Sequence, residues 1–135
     1  MSRYVYTEVD PDQLNAAQVE DAERVLDVAR HELGLIGRGV AYGIRWYVRS
    51  ERVAEYPLTR YGRALDVPDE RHLSGWYLDP AWIALRADRP RRDRNLTIAH
   101  EAFHAWQEAH DKPLDEGPAE RFAQRLVAHL EGEAA

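Results

Sequence analysis

Two histidines and a glutamate at fixed spacing are the residues of this chain best suited to chemistry. They stand in the segment His100-Glu101-Ala102-Phe103-His104. In an α-helix, positions four apart lie one turn apart on the same face. His100 and His104 can therefore offer two imidazoles to one metal ion. Glu101 lies about 100° further round the helix, where it can reach a metal-bound water without binding the metal.

The residues around this segment favour a buried helix over a solvated one. They are small or apolar: Leu96, Ile98, Ala99, Ala102, Phe103, Ala105, Trp106 and Ala109. A helical wheel puts Ile98, Ala102, Ala105 and Ala109 on one packed face, opposite His100 and His104. Buried imidazoles beside a carboxylate need partners, and a metal ion supplies them. The alternative, a surface helix that carries the pattern by chance, fits these flanks less well.

The size and charge of the chain narrow the classes of function. Its 135 residues suit one domain, 1–135. A formal net charge of −6 argues against a general nucleic-acid or anionic-membrane surface. The apolar runs are shorter than a membrane span, and the start MSRYVYTEVD lacks signal-peptide features, so we expect a cytoplasmic protein. The chain has no cysteine, so zinc ligands must be histidine or carboxylate.

The first half of the chain predicts one helix followed by strands. A helix is expected over residues 10–33, with Asp10 as its N-cap. Residues 40–49 alternate apolar and polar, which predicts a strand with one buried face. That face would be formed by Val40, Tyr42, Ile44, Trp46 and Val48. Residues 51–56 could add a second strand, and residues 57–71 fit either a loop over the cleft or a short strand.

A hairpin and an arginine-rich loop precede the histidine motif. Residues 72–86 predict a hairpin, because strand-forming aromatics flank a turn signal at Asp79-Pro80. Residues 87–94 could form a DNA contact or a solvated lead-in to the next helix. The second interpretation is favoured, because aromatic residues are not interleaved and the chain is acidic.

Two helices are expected to complete the chain. The first runs from about 94 to 110 with Asp93 as its N-cap, and the second covers 116–131 with Asp115 as its N-cap. The whole pattern predicts an α+β fold: an N-terminal helix, a small and mostly antiparallel sheet within 40–86, and two packed helices.

A third ligand decides the class of site, because a catalytic zinc usually has three protein ligands and one open position. His110 would give H-E-x-x-H-x-x-Q-x-x-H, close to the metzincin pattern. Gln107 replaces the glycine that breaks the helix in that pattern, so His110 should point away from the metal. The metzincin Met-turn is also missing, since the only methionine is Met1. Glu116 begins the last helix on its inward side, where a charge needs a partner, and Glu120 follows one turn later.

With these residues the chain resembles the gluzincins, zinc metallopeptidases with H-E-x-x-H followed by E-x-x-x-D or E-x-x-A-D. It is most similar to their small cytoplasmic members, the minigluzincins and the ImmA/IrrE-type peptidases. Their last helix carries an A-D/N-x-F-A run, which here is Ala119-Glu120-Arg121-Phe122-Ala123. The resemblance covers about residues 72–130. It implies a zincin-like fold and Zn²⁺, with Glu116 as third ligand and Glu120, in place of Asp, hydrogen-bonded to a ligating imidazole.

The function implied is hydrolysis of peptide bonds in a peptide or protein substrate. Zinc would activate a water, and Glu101 would act as general base. An edge strand at Leu73–Leu78 would bind extended substrate by main-chain pairing. An oxyanion donor is also needed. The candidates are Tyr61, His72, Tyr77 and, less favoured because it lies at the margin of its helix, His129.

Two other classes of function stay open. The chain could be a binding or regulatory protein that keeps the zinc helices without turnover. It could also be another metalloenzyme, because two histidines and one carboxylate suit Fe(II) as well. The sequence leaves the substrate and the oligomeric state undetermined.

Overall fold

The computed structural model describes residues 4–34, 43–50, 64–67, 75–78 and 82–134 as a small α+β domain with three α-helices and one mixed sheet. The α+β class predicted from the sequence is confirmed. The strands are β1 (Tyr4–Val9), β2 (Gly43–Ser50), β3 (Ala64–Val67), β4 (Gly75–Leu78) and β5 (Trp82–Arg86). The helices are α1 (Ala16–Glu32), α2 (Arg91–Ala109) and α3 (Glu116–Ala134), and a 3-10 turn covers Pro11–Gln13.

The strands lie in the order β3-β1-β2-β5-β4. Strands β2 and β5 pair in parallel, while the β1–β2, β1–β3 and β4–β5 pairs are antiparallel. The β4–β5 pairing confirms the predicted hairpin, although its turn at Asp79-Pro80 lies outside the described residues. Among the described strands, β4 forms one edge of the sheet, next to the strand that leads into α2.

The N-terminal part of the sheet differs from the prediction. Strand β1 lies between β2 and β3, whereas the sequence analysis assigned no strand to the first nine residues. Of the two alternatives for 57–71, the short strand is the one found, as β3. The second strand predicted at 51–56 lies outside the described residues. Strand β1 pairs with partners far along the chain, so local sequence carries little information about its place.

The start of α1 also differs from the prediction. A single helix over 10–33 capped by Asp10 was expected, but the Asp10 side chain accepts from the Asp12 amide and caps only the 3-10 turn. Asn15 then caps α1 by accepting from the Ala17 amide at 2.8 Å. Asn15 is a second short polar residue whose side chain can accept a hydrogen bond from the backbone two residues later. It therefore ends the 3-10 turn and begins α1 as a separate helix.

The two C-terminal helices start differently from each other. Helix α2 begins at Arg91, after Pro90, with no side-chain cap, so the prediction that Asp93 caps it is wrong. Asp93 lies instead in the first turn, where its charge complements the helix dipole. Helix α3 begins as predicted, because the Asp115 side chain accepts from the Gly117 amide at 3.2 Å.

Helix α2 lies at the centre of the packing, in contact with α1, α3, β4 and β5. Its alanines at 99, 102 and 105 are fully buried and let the other elements approach closely. Ala109, predicted on the same packed face, is exposed at the end of the helix. None of the described helices contains a stretch long and apolar enough to cross a membrane.

Strand β2 is covered on both faces at its centre. Trp46 belongs to the core cluster beneath the helices, and its neighbour Tyr47, on the opposite face, is also fully buried. The prediction of one buried face therefore holds for Trp46 but misses Tyr47. Val48, predicted on the buried face, is 38% exposed.

Gly75 allows β4 to lie close to α2. A Cβ atom at this position would be 2.4 Å from the Ala84 carbonyl oxygen and 2.7 Å from the Thr97 Cγ2 atom. Thr97 lies one turn before Glu101 on α2. Because glycine has no side chain, Gly75 allows the edge strand to pack directly against the helix that carries the histidine motif.

Candidate metal centre

Helix α2 brings His100 and His104 together, as their spacing predicts. The two ring centroids are 4.7 Å apart with the planes at 78°. His104 is buried and His100 is partly buried. Their backbone is fixed because Ala99 and Ala102, between and beside them, are packed in the core.

Glu116, the first residue of α3, touches both histidines. Its Oε2 atom lies 2.7 Å from the His100 Nε2 atom, and its Oε1 atom lies 2.9 Å from the His104 Nε2 atom. Glu116 lies on the predicted inward side of α3, but its side chain is 77% exposed rather than enclosed by the core. Glu116 is on the same side of α3 as buried Ala119 and Ala123, about one turn nearer the start of the helix. Its side chain therefore covers the two histidines on the side that faces solvent.

The other nitrogen of each imidazole has its own oxygen partner. The His100 Nδ1 atom lies 3.3 Å from the Oε2 atom of Glu120, the residue that the resemblance places next to a ligating imidazole. The other oxygen of Glu120 accepts from Gln124 at 2.9 Å. The His104 Nδ1 atom lies 2.8 Å from the Gln107 Oε1 atom.

These partners place an acceptor oxygen beside every ring nitrogen of the two histidines. Carboxylate and amide oxygens only accept, yet a neutral imidazole has one N–H to donate. The Glu116 carboxylate, 2.7 Å from the His100 Nε2 atom and 2.9 Å from the His104 Nε2 atom, therefore competes with the oxygens at Nδ1. A cation between the Nε2 atoms and Glu116 would remove this competition, because both Nδ1 atoms would then donate and both Nε2 lone pairs would face the ion. The two Nε2 atoms and the Glu116 carboxylate form a set of three ligand groups that suits a divalent cation. The Nδ1 atoms of both histidines have oxygen partners, as in many zinc sites.

The spacing of these three groups fits an ion after a small movement. Bonds of about 2.0–2.2 Å in tetrahedral geometry hold ligand atoms about 3.3–3.6 Å apart. The present separations of 2.7 and 2.9 Å are shorter than this by roughly 0.4–0.9 Å. The exposed Glu116 side chain can supply this movement without disturbing the core.

Glu101 is the second carboxylate at the site. Ligand atoms of His100, Glu101 and His104 all lie within 4.8 Å of one another, and this group could hold a metal ion. Glu116 is the carboxylate that contacts both Nε2 atoms, so it is the better placed third ligand. Glu101 would then be the carboxylate that could act on a water bound to the ion, because it lies within 4.8 Å of the ligand atoms of both histidines.

A compact turn between α2 and α3 explains how Glu116 returns to the histidines. The Lys112 amide donates to the Gln107 carbonyl at 2.8 Å, and the Asp111 amide donates to the Glu108 carbonyl at 3.1 Å. This is the Schellman arrangement, with Asp111 at φ 54° in the position that usually holds glycine. The chain therefore reverses within a few residues of the end of α2.

His110 is directed away from the site, as the unbroken helix predicted. It is exposed at the end of α2, and its Nδ1 atom bonds the Trp106 carbonyl oxygen at 2.8 Å. Its ring lies against the Trp106 ring, with centroids 4.8 Å apart.

The proposed oxyanion donors lie mostly beyond the described part of the chain. Tyr61 and His72 are outside it, so their roles stay predictions. Tyr77 lies in β4 opposite Ile83, and only its backbone is described. The candidate substrate strand Leu73–Leu78 is described from Gly75 onward, where it forms the sheet edge.

Gln107 is the site residue that the sequence analysis missed. In the sequence pattern, Gln107 stands out only as a departure from the glycine of the metzincin motif. The available signal was a polar residue three positions after His104, on a helix otherwise rich in buried alanine. Such a residue can reach the ligand one turn before it.

Comparisons of the chain with protein-family models, curated proteins and solved structures found no match. The resemblance to gluzincins therefore depends on the residues and contacts described above.

Proposed function

We propose that this protein is a small zinc-dependent metallopeptidase of gluzincin type. One observation carries the proposal: the Nε2 atoms of His100 and His104 meet the carboxylate of Glu116, while separate oxygens hold both Nδ1 atoms. His100, His104 and Glu116 would hold the ion. The resemblance to cytoplasmic gluzincins supports a cytoplasmic location as part of the same proposal.

The chemistry divides between the ion and Glu101. Zinc held by these residues would lower the pKa of a water toward about 7 and polarise the scissile carbonyl. Glu101 takes the proton from the attacking water and later delivers it to the leaving amine. The Glu101 carboxylate suits this role because it is close to both imidazoles. It would not be needed as a ligand, because Glu116 already lies against the Nε2 atoms.

Strand β4 is the proposed binding edge for an extended peptide. It lies at the edge of the described sheet and in contact with α2. A substrate strand could pair with main-chain groups of β4 on the side away from β5 and so pass in front of the histidine motif. Tyr77, Tyr61 and His72 remain the candidates for stabilising the oxyanion.

The test combines metal analysis with cleavage of a mixed peptide library. We expect about one zinc per chain and peptide cleavage that a chelator abolishes. Glu101→Gln should keep the zinc and lose about 10²–10⁴ in rate, the usual contribution of a positioned general base. Glu108→Gln, the same change at an exposed position of the same helix, is the matched control and should cleave normally.

The outcomes separate the rival functions. Zinc without cleavage of any peptide would favour the binding or regulatory protein. Iron in place of zinc would favour a different metalloenzyme with the same ligand set. Failure of wild-type protein to bind any divalent metal would refute the proposal.

A further inference from the structure

Gln107 is a buried polar residue one turn after His104 on α2, with only 3% of its surface exposed. Its Oε1 atom lies 2.8 Å from the His104 Nδ1 atom. A buried amide in a core of alanines is costly unless its hydrogen bonds are made. Its partners therefore show what the residue does.

The same amide group also holds the residue that precedes Glu116. The Gln107 Nε2 atom donates to the Asp115 carbonyl oxygen at 3.2 Å, and Oε1 accepts from the Asp115 amide at 3.3 Å. The Gln107 backbone carbonyl accepts from the Lys112 amide at 2.8 Å. Gln107 thus bonds to His104, one candidate ligand. It also bonds to Lys112 and Asp115, at the two ends of the turn that leads to Glu116, another candidate ligand.

These contacts fix the orientation of the amide. If the group were flipped, Nε2 would face the Asp115 amide, and Oε1 would face the Asp115 carbonyl oxygen. Both pairings bring like partners together, so Asp115 selects the observed orientation. Oε1 is then presented to His104, which must donate from Nδ1.

We propose that Gln107 is a positioning residue that sets the tautomer of His104 and the location of Glu116 through one amide group. This inference rests on the proposed metal site. Gln107 does not contact the ion position. It acts by accepting a hydrogen bond from His104 Nδ1, so that Nε2 can face the ion, and by tying the start of α3 to the end of α2. Two ligands from different helices are thereby brought into place together.

The test uses Gln107→Met, which removes all three side-chain hydrogen bonds at similar size, and Gln107→Glu, which keeps an acceptor for His104 but cannot donate to Asp115. Gln18→Met is the control, because Gln18 donates to the Ala87 carbonyl oxygen at 2.9 Å, in a contact that involves none of the site residues. Nitrogen-15 NMR of the metal-free protein at mildly alkaline pH reports the imidazole tautomers. Amide exchange reports the order of residues 115–117.

We expect the Nδ1–H tautomer at His104 in the wild type and a mixture of tautomers in Gln107→Met. Gln107→Glu should keep the tautomer, yet exchange faster at 115–117. Zinc affinity should fall about 10–100-fold in Gln107→Met, the usual effect of losing an outer partner of a ligand, and stay unchanged in Gln18→Met. The tautomer of His100 should change less than that of His104, because the His100 ring contacts Glu116 and Glu120 rather than Gln107.

The inference fails if wild-type His104 carries its proton on Nε2, or if Gln107→Met retains the tautomer and the slow exchange. Failure of the metal site is a separate result. A wild type that binds no zinc refutes the proposed function, while the tautomer and exchange measurements on metal-free protein still decide the role of Gln107.

Discussion

The Oε2 atom of Glu116 lies 2.7 Å from the Nε2 atom of His100, so the first residue of α3 reaches the middle of α2. The contact depends on the tight reversal after α2, because a longer or wider turn would carry Glu116 past the histidines. The two helices therefore act as one unit, in which the end of α2, the turn and the start of α3 all determine the geometry of the ligands.

Zinc binding should depend on His104 and not on His110. His104→Ala removes one of two imidazoles in the ligand set, so the purified variant should lack stoichiometric zinc. His110→Ala is the control on the same helix, and it should bind zinc like the wild type because that side chain is directed away. Elemental analysis of both proteins checks this. Full zinc in His104→Ala would refute the ligand assignment.

Glu116→Gln should weaken zinc binding more than Glu120→Gln does. The first change replaces a charged ligand by a neutral amide, and we expect a loss of more than about 100-fold in affinity. The second keeps an acceptor for the His100 Nδ1–H, and the loss should be about 10-fold. Competition with a chromophoric chelator measures both. Equal losses would indicate that Glu116 is not a ligand.

Gly75→Ala should destabilise the protein, because the new methyl group would lie 2.4 Å from a backbone oxygen that cannot move aside freely. Overpacking of this kind costs about 1–3 kcal/mol. Gly132→Ala, in α3, meets nothing within 4 Å and should stabilise the protein by about 0.5 kcal/mol. Urea unfolding of both variants checks the opposite signs. A neutral Gly75→Ala would contradict the close approach of β4 to α2.

Asp111→Gly should stabilise the turn that delivers Glu116. Asp111 adopts φ 54°, a left-handed conformation that glycine takes without steric cost. We expect a gain of about 0.5–1 kcal/mol in the free energy of unfolding. Asp111→Ala should give a loss of similar size, because alanine adopts this conformation less readily than aspartate. Thermal unfolding of the three proteins at one pH would reveal the order, and any other order contradicts the turn geometry.

The Asp21–Arg91 pair should make stability depend on acid pH. Two bonds of 2.8 Å join Asp21 of α1 to Arg91 at the start of α2. The Arg91 guanidinium holds the pKa of the Asp21 carboxyl below its usual 3.8, against the opposing effect of burial. A depressed folded-state pKa contributes stability that is complete above that usual value and lost as the pH falls through the folded pKa.

Asp21→Asn should therefore cost about 1 kcal/mol near neutral pH, a modest value because Arg91 is exposed. The difference from wild type should shrink as the pH falls below 3.8. Asp27→Asn, on the same helix with an exposed carboxylate, serves as the control. Denaturant titrations at several pH values measure the effect, and a difference that persists at low pH would contradict it.

The sequence by itself determined the features that local geometry controls. The spacing of His100 and His104 requires that both imidazoles lie on one face of a helix, whatever the rest of the fold. The hairpin of β4 and β5 and the cap at Asp115 also follow from neighbouring residues. The side on which Glu116 leaves its helix was predicted too, but its exposure was not.

Tertiary structure decided which groups meet across elements. The meeting of Glu116 with both histidines depends on the angle and length of a turn held by Gln107 and Asp111. The place of β1 inside the sheet depends on pairing with distant strands. Hydrogen bonds and packing between elements compete with local preferences, and only the folded chain shows which wins. For this reason α2 and α3 could be predicted from the sequence. The role of the buried Gln107 amide, which joins the end of α2 to the start of α3, could not.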